Sequence, residues 1–172
     1  MRKRIQQFTI PLILMVFMSK AAMAEPTISL GGNRYNDADI LEEAKFYAYL
    51  LGMDENVMMR VNFTAELPKG INGTVEHMPL MENKVQVVIL INRRAGRASQ
   101  MMTLAHEMVH ARQLINKELV ILDKHHVRWK NGVVYDLRQI AYNDRPWEKE
   151  AHELGQRLRR QFLGVKRAAF IL

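Results

Sequence analysis

Cysteine is absent from the chain, which excludes disulfides in any compartment and leaves no thiolate to bind a metal. Any metal site must therefore be built from imidazole and carboxylate. Internal repeats, low-complexity blocks and long Pro/Gly/Ser linkers are missing too, and 172 residues is one domain's worth of chain, so a single compact unit is expected. The apolar run from Phe8 to Met18 falls short of the roughly 18 to 20 residues needed to cross a bilayer. Acidic residues are lacking from both ends, with none before Glu25 and none from Gly155 onward.

What stands at the N-terminus explains part of that asymmetry. Arg2, Lys3 and Arg4 precede the apolar run, and Ala22-Met23-Ala24 supplies an A-x-A cleavage site. Residues 1–24 are expected to be an export signal, removed near Ala24, leaving residues 25–172 as a periplasmic or secreted domain. No Cys marks the cleavage point, which excludes a lipoprotein. Without the signal, Lys and Arg number 21 against 18 Asp and Glu, a net charge of +3. That is too modest to argue for a nucleic-acid partner. The basic tail, with Arg157, Arg159, Arg160, Lys166 and Arg167, suits a solvated helix face, with weak contact to an anionic envelope surface as its functional alternative. The 12 Met residues read as flexible core filler.

Residues 25–35 read as an irregular leader. A helix follows, capped by Asp37 or Asp39, with Ile40, Leu41, Ala44, Tyr47, Ala48 and Leu51 at helical spacing and Gly52 as its stop. Three strands are expected over Val57–Phe63, Gly73–Met78 and Val85–Ile91, separated by turn residues at Asn72-Gly73 and Glu82-Asn83. After a polar loop, Ser99 is the expected N-cap of a second helix reaching about Glu118. Trp129 to Tyr135 reads as a hairpin turning at Asn131-Gly132, and Pro146 opens a final helix through Phe162. His125 and His126 fall in an expected surface loop.

The chemistry is carried by His106-Glu107-Met108-Val109-His110, an H-E-x-x-H motif within the second helix. Side chains four apart share a helix face, so His106 and His110 direct two imidazoles at one ion. Glu107, one residue further on, reaches a water on that ion. Zinc suits the pattern: it lowers the pKa of bound water toward about 7, and a carboxylate takes the proton as the water attacks. Glu107 is thus the candidate general base and acid. Leu104, Ala105, Met108, Val109 and Ala111 make the neighbourhood apolar, where two unpaired histidines and a carboxylate would cost several kcal/mol to bury.

The third ligand separates subclasses. The metzincin pattern would require Gly and His where this chain has Gln113 and Asn116, so that subclass is excluded. The other common solution is a Glu from a later helix, and Pro146-Trp147-Glu148-Lys149-Glu150 opens one. Helical phase puts Glu148 on a face with Ala151 and Gly155 and rotates Glu150 toward Arg157 and Gln161, so Glu148 is the expected ligand.

Together, the strand Val85–Ile91, the His106–His110 helix and a later helix opening with Glu148 resemble the gluzincin class of zinc peptidases. The likeness covers most of residues 57–162 and is closest to small bacterial members with H-E-x-V-H followed by Pro-aromatic-Glu. It implies an α+β zincin-like domain: a short, mainly antiparallel sheet packed on the H-E-x-x-H helix, with a C-terminal helix bringing the third ligand. It implies one zinc per chain, held by His106, His110 and Glu148, with Glu107 catalytic. It further implies that Val85–Ile91 borders the cleft and accepts an extended peptide as an added strand. Many gluzincins carry an Asp four residues after the ligand Glu, to support a ligand His; His152 stands there instead. Tyr142 or Tyr135 is the candidate oxyanion donor. The expected function is hydrolysis of peptide bonds outside the cytoplasm. The alternatives are a non-catalytic zinc-binding envelope module, against which Glu107 argues, and an amidase acting on peptidoglycan cross-links.

Overall fold

A computed structural model describes residues 25–32, 37–130 and 132–169. The expected export signal lies outside these residues, as does Asn131 of the expected Asn-Gly turn.

The first strand, β1 (Thr27–Gly31), falls in the segment expected to be irregular. Ile28 and Leu30 do alternate with Thr27 and Ser29, but five residues of period two are too short to declare a strand; its pairing with β2 makes it one. Helix α1 (Asp37–Leu50) follows, so Asp39 lies in its first turn. It turns Ile40, Ala44, Tyr47 and Ala48 inward, all fully buried, and Gly52 ends it with a φ of +71°, a conformation glycine adopts without steric cost.

β2 (Val57–Thr64), β3 (Gly73–Pro79) and β4 (Val85–Asn92) match the expected strands. In β2 and β4 the register aligns Met59 with Val87, Val61 with Ile89 and Phe63 with Ile91. All six are buried, so one face of the sheet is continuous and apolar. The core forms where that face meets Ile40, Ala44 and Tyr47 of α1, then Met101, Leu104, Ala105 and Met108 of α2 (Arg97–Ile115), and finally Ala151, Leu158 and Phe162 of α3 (Pro146–Ala169).

The sheet order is β1-β2-β4-β3, with β1–β2 and β2–β4 parallel and β3–β4 antiparallel. A second sheet of three antiparallel strands, β5 (Leu119–Ile121), β6 (His126–Trp129) and β7 (Val133–Asp136), follows α2. The domain is α+β, as expected, and over both sheets antiparallel pairings outnumber parallel ones by three to two. The sheet that carries the H-E-x-x-H helix is itself mixed. One expectation from the resemblance is corrected: β4 is flanked on both sides, by β2 and β3, so Val85–Ile91 has no free edge for a peptide. β3 holds the edge instead.

The second helix starts at Arg97 with Gly96 as N-cap, not at Ser99. The buried amide of Gln100 explains the shift, since its Nε2 donates to the carbonyls of Asn92, Arg93 and Ala95 and ties up the preceding loop. The helix ends at Ile115, because Lys117 turns into the left-handed region at φ 56° and Glu118 donates its backbone N–H to the Gln113 carbonyl. Leu114, Leu119, Val127, Trp129 and Trp147 form a smaller core under the second sheet. Among the described residues, no helix is long and apolar enough to cross a membrane.

Candidate metal centre

α2 is buried almost all round, between the large sheet, α1, α3 and the small sheet, and its polar residues must therefore find partners within the protein. His106 and His110, one turn apart, direct their Nε2 atoms to within 3.0 Å of each other. Glu148, in the first turn of α3, brings Oε2 to 3.3 Å from His106 Nε2 and 3.2 Å from His110 Nε2. His106, His110 and Glu148 thus form a group that can hold a metal ion, its ligand atoms lying within 4.8 Å of one another. Among the described residues it is the single group of this kind.

The two helices approach this closely because of Gly155. A Cβ there would meet the backbone of Ala105 and His106 at 3.2 to 3.3 Å, so glycine lets α3 lie against the α2 backbone two turns after Glu148. Glu150, the rejected alternative, points elsewhere. Its carboxylate accepts from Arg112 Nη2 at 3.0 Å, Gln113 Nε2 at 2.8 Å and Lys130 Nζ at 2.7 Å.

Glu107 is buried and shares cavities with His106, His110 and Glu148. Burial pushes its carboxyl above the usual range, against the pull of the His110 and His106 charges. Burial also raises the Glu148 carboxyl, but hydrogen bonds from His106, His110 and Tyr142 and the His110 charge outweigh it, so Glu148 is held well below that range. For His110 burial disfavours the imidazolium, yet Glu148 and Glu107 together lift it above its ordinary value. The β3–β4 register sets Gly73 opposite Ile91 on the sheet face toward α2. A Cβ on Gly73 would lie 2.9 Å from Glu107 Oε1, so the missing side chain there makes room for the carboxylate.

Of the two tyrosines, Tyr142 reaches the site and Tyr135 does not. Tyr142, in a 3-10 turn before α3, lines the cavities around His106, Glu107 and Glu148. Tyr135 packs edge-on against Trp147 with ring centroids 5.5 Å apart. His152 is exposed and bonds Gln156 at 2.7 Å, and it lines a cavity with His106, Tyr142 and Glu148. His125 and His126 lie away from the group; His126 opens β6 instead of sitting in a loop and contacts Asp123.

Three cavities meet at the ligand atoms. One of about 460 Å³ has apolar walls from Leu67, Pro68, Ile71, Leu114, Leu119 and Trp147 beside Glu107, His110 and Glu148. The first strand turns of the edge, Gly73 to Val75, line it as well.

In the sequence Gln113 stands out only as the residue where the metzincin pattern requires Gly. In the structure it is fully buried, with Oε1 2.7 Å from His110 Nδ1. Its spacing of three from His110 was the available signal, since such neighbours share a helix face. Comparison of the chain with known protein families, with curated protein sequences and with solved structures finds no match in any of the three.

Proposed function

We propose that this protein is a zinc-dependent peptidase, with His106, His110 and Glu148 as ligands and Glu107 as general base and acid. The observation that carries the reading is the convergence of three lone-pair atoms at 3.0 to 3.3 Å, beside a buried fourth group, Glu107, at the meeting of open cavities. A single proton serves one of those contacts at a time, whereas a cation satisfies all three. Tetrahedral zinc, with bonds of about 2.0 to 2.2 Å, needs neighbouring ligand atoms roughly 3.3 to 3.5 Å apart, so the donors fit after a shift of a few tenths of an ångström. Two neutral imidazoles and one carboxylate also match the donor chemistry of catalytic zinc sites.

When bound, zinc supplies Lewis acidity toward a water molecule and a carbonyl oxygen. The chain supplies the proton path. A Glu107 oxygen takes a proton from the attacking water, the oxygen of that water bonds to the carbonyl carbon, and Glu107 returns the proton to the amine nitrogen as the C–N bond breaks. Its burial favours the protonated intermediate form. Tyr142, which lines a cavity with Glu107, His110 and Glu148, is the candidate donor for the developing oxyanion. The unpaired edge of β3 offers backbone N–H and C=O groups along the cleft to an extended peptide.

The purified protein is expected to hold one zinc per chain and to cleave members of a diverse peptide library. Glu107→Gln should retain the zinc and lose at least about 100-fold in kcat/KM. Zinc in both proteins without cleavage by either, of peptides or peptidoglycan cross-links, favours the non-catalytic module. A preference for iron over zinc in the metal analysis would contradict the reading, because two histidines and one carboxylate also make up the iron oxygenase triad.

A further inference from the structure

Gln113 and Glu150 have no part in that reading, yet both are tied to it. The Gln113 side chain is used at both ends. Its Nε2 donates to Glu150 Oε2 at 2.8 Å and to the Trp147 carbonyl at 3.1 Å. Two oxygens on one side fix which end of the amide is nitrogen, so Oε1 is the atom 2.7 Å from His110 Nδ1. Only a protonated Nδ1 satisfies that acceptor. In the neutral ring this leaves the lone pair on Nε2, the atom directed at His106 and Glu148.

Glu150 is itself held from behind. Its Oε2 accepts from Arg112 Nη2 at 3.0 Å and its Oε1 from Lys130 Nζ at 2.7 Å, the latter in the turn directly after β6. The series His110, Gln113, Glu150, Lys130 therefore links α2, α3 and the small sheet.

We propose that Gln113, backed by Glu150, is the positioning residue of the metal centre, fixing the His110 tautomer and ring. The proposal rests on His110 being a zinc ligand. A buried amide with both ends committed has one orientation, so the imidazole it holds has one as well.

Zinc affinity, measured by competition with a chromogenic chelator, tests this in the full chain alongside the melting temperature of the metal-free protein. Gln113→Leu should bind zinc about 10- to 100-fold more weakly. The similarly sized Gln113→Met keeps the packing but offers His110 Nδ1 no amide oxygen, and should bind zinc more weakly too. A purely structural role for Gln113 predicts that affinity falls only in step with the melting temperature of the metal-free protein, whereas the positioning role predicts a loss of affinity in both variants whatever their melting temperatures. Zinc bound by Gln113→Leu or Gln113→Met as tightly as by wild type overturns the proposal, as does a loss of affinity that only follows the melting temperature. If Gln113→Leu does not fold, Gln113→Met decides. Absence of zinc from the wild type overturns the metal reading and this proposal together; the other adverse results overturn the positioning role alone.

Discussion

Glu148 and Glu150 are two residues apart on one helix and have opposite surroundings. Glu148 faces two imidazoles, while Glu150 collects an arginine, a lysine and an amide. The phase of the helix, visible in the spacing of Ala151 and Gly155, separates them before any coordinates are known. On the proposed zinc reading, Glu148→Ala removes a ligand and is expected to lower zinc affinity by about 1,000-fold or more; Glu150→Ala acts through Gln113 and is expected to stay within about 100-fold. Chelator competition on both variants checks the order, and equal losses would refute the assignment. Gln113 was not legible in this way. A glutamine in a helix has many possible partners, and the pair it uses, His110 and Glu150, belongs to two different helices.

At the scale of elements, the centre depends on how closely α3 lies on α2. Gly155 controls that distance, because the atoms a side chain would meet are backbone of Ala105 and His106, which cannot swing aside. Gly155→Val is expected to destabilise the fold by about 1 to 3 kcal/mol and to weaken zinc binding at least tenfold by drawing Glu148 away. Urea titration and chelator competition read the two effects separately; a destabilised variant with unchanged affinity would show that the crossing does not set the site. Most element positions were legible because periodicity is local. β2, β3, β4, α1 and α3 fall where their patterns put them. The exceptions have non-local causes: β1 is a strand through β2, α2 begins early because Gln100 ties the loop before it, and β5 needs β6 beside it.

Over the whole molecule, one buried ion pair joins the two ends of the fold. Glu43 of α1, only 2% exposed, accepts from the Tyr47 hydroxyl and from Arg159 of α3. Lys166 reaches Glu42 in the same way, so two cations of the basic tail are engaged with α1. Arg159→Met leaves the Glu43 carboxylate with the Tyr47 hydroxyl but without its ion-pair partner, and is expected to cost about 2 to 4 kcal/mol. Burial pushes the Glu43 carboxyl above its usual range, opposed by Tyr47, by Arg159 and, more weakly, by Arg97. A carboxyl raised in the folded state contributes stability below its unfolded pKa and loses it as pH rises through the folded value. Without Arg159 the folded value rises further, so the melting temperature of Arg159→Met should fall further below wild type at pH 8 than at pH 5. A gap independent of pH would exclude this origin.

The motif, its helix, the candidate third ligand and the α+β class were legible in the chain before it folds. Each follows from spacing along a single element, and the backbone makes spacing equivalent to direction. Only the folded arrangement brings out which strand has a free edge, which tyrosine lines the site, and which amide lies against His110. Those depend on the order of strands in a sheet and on the crossing of two helices, and residues 38 apart, such as His110 and Glu148, meet only after the core between them has formed.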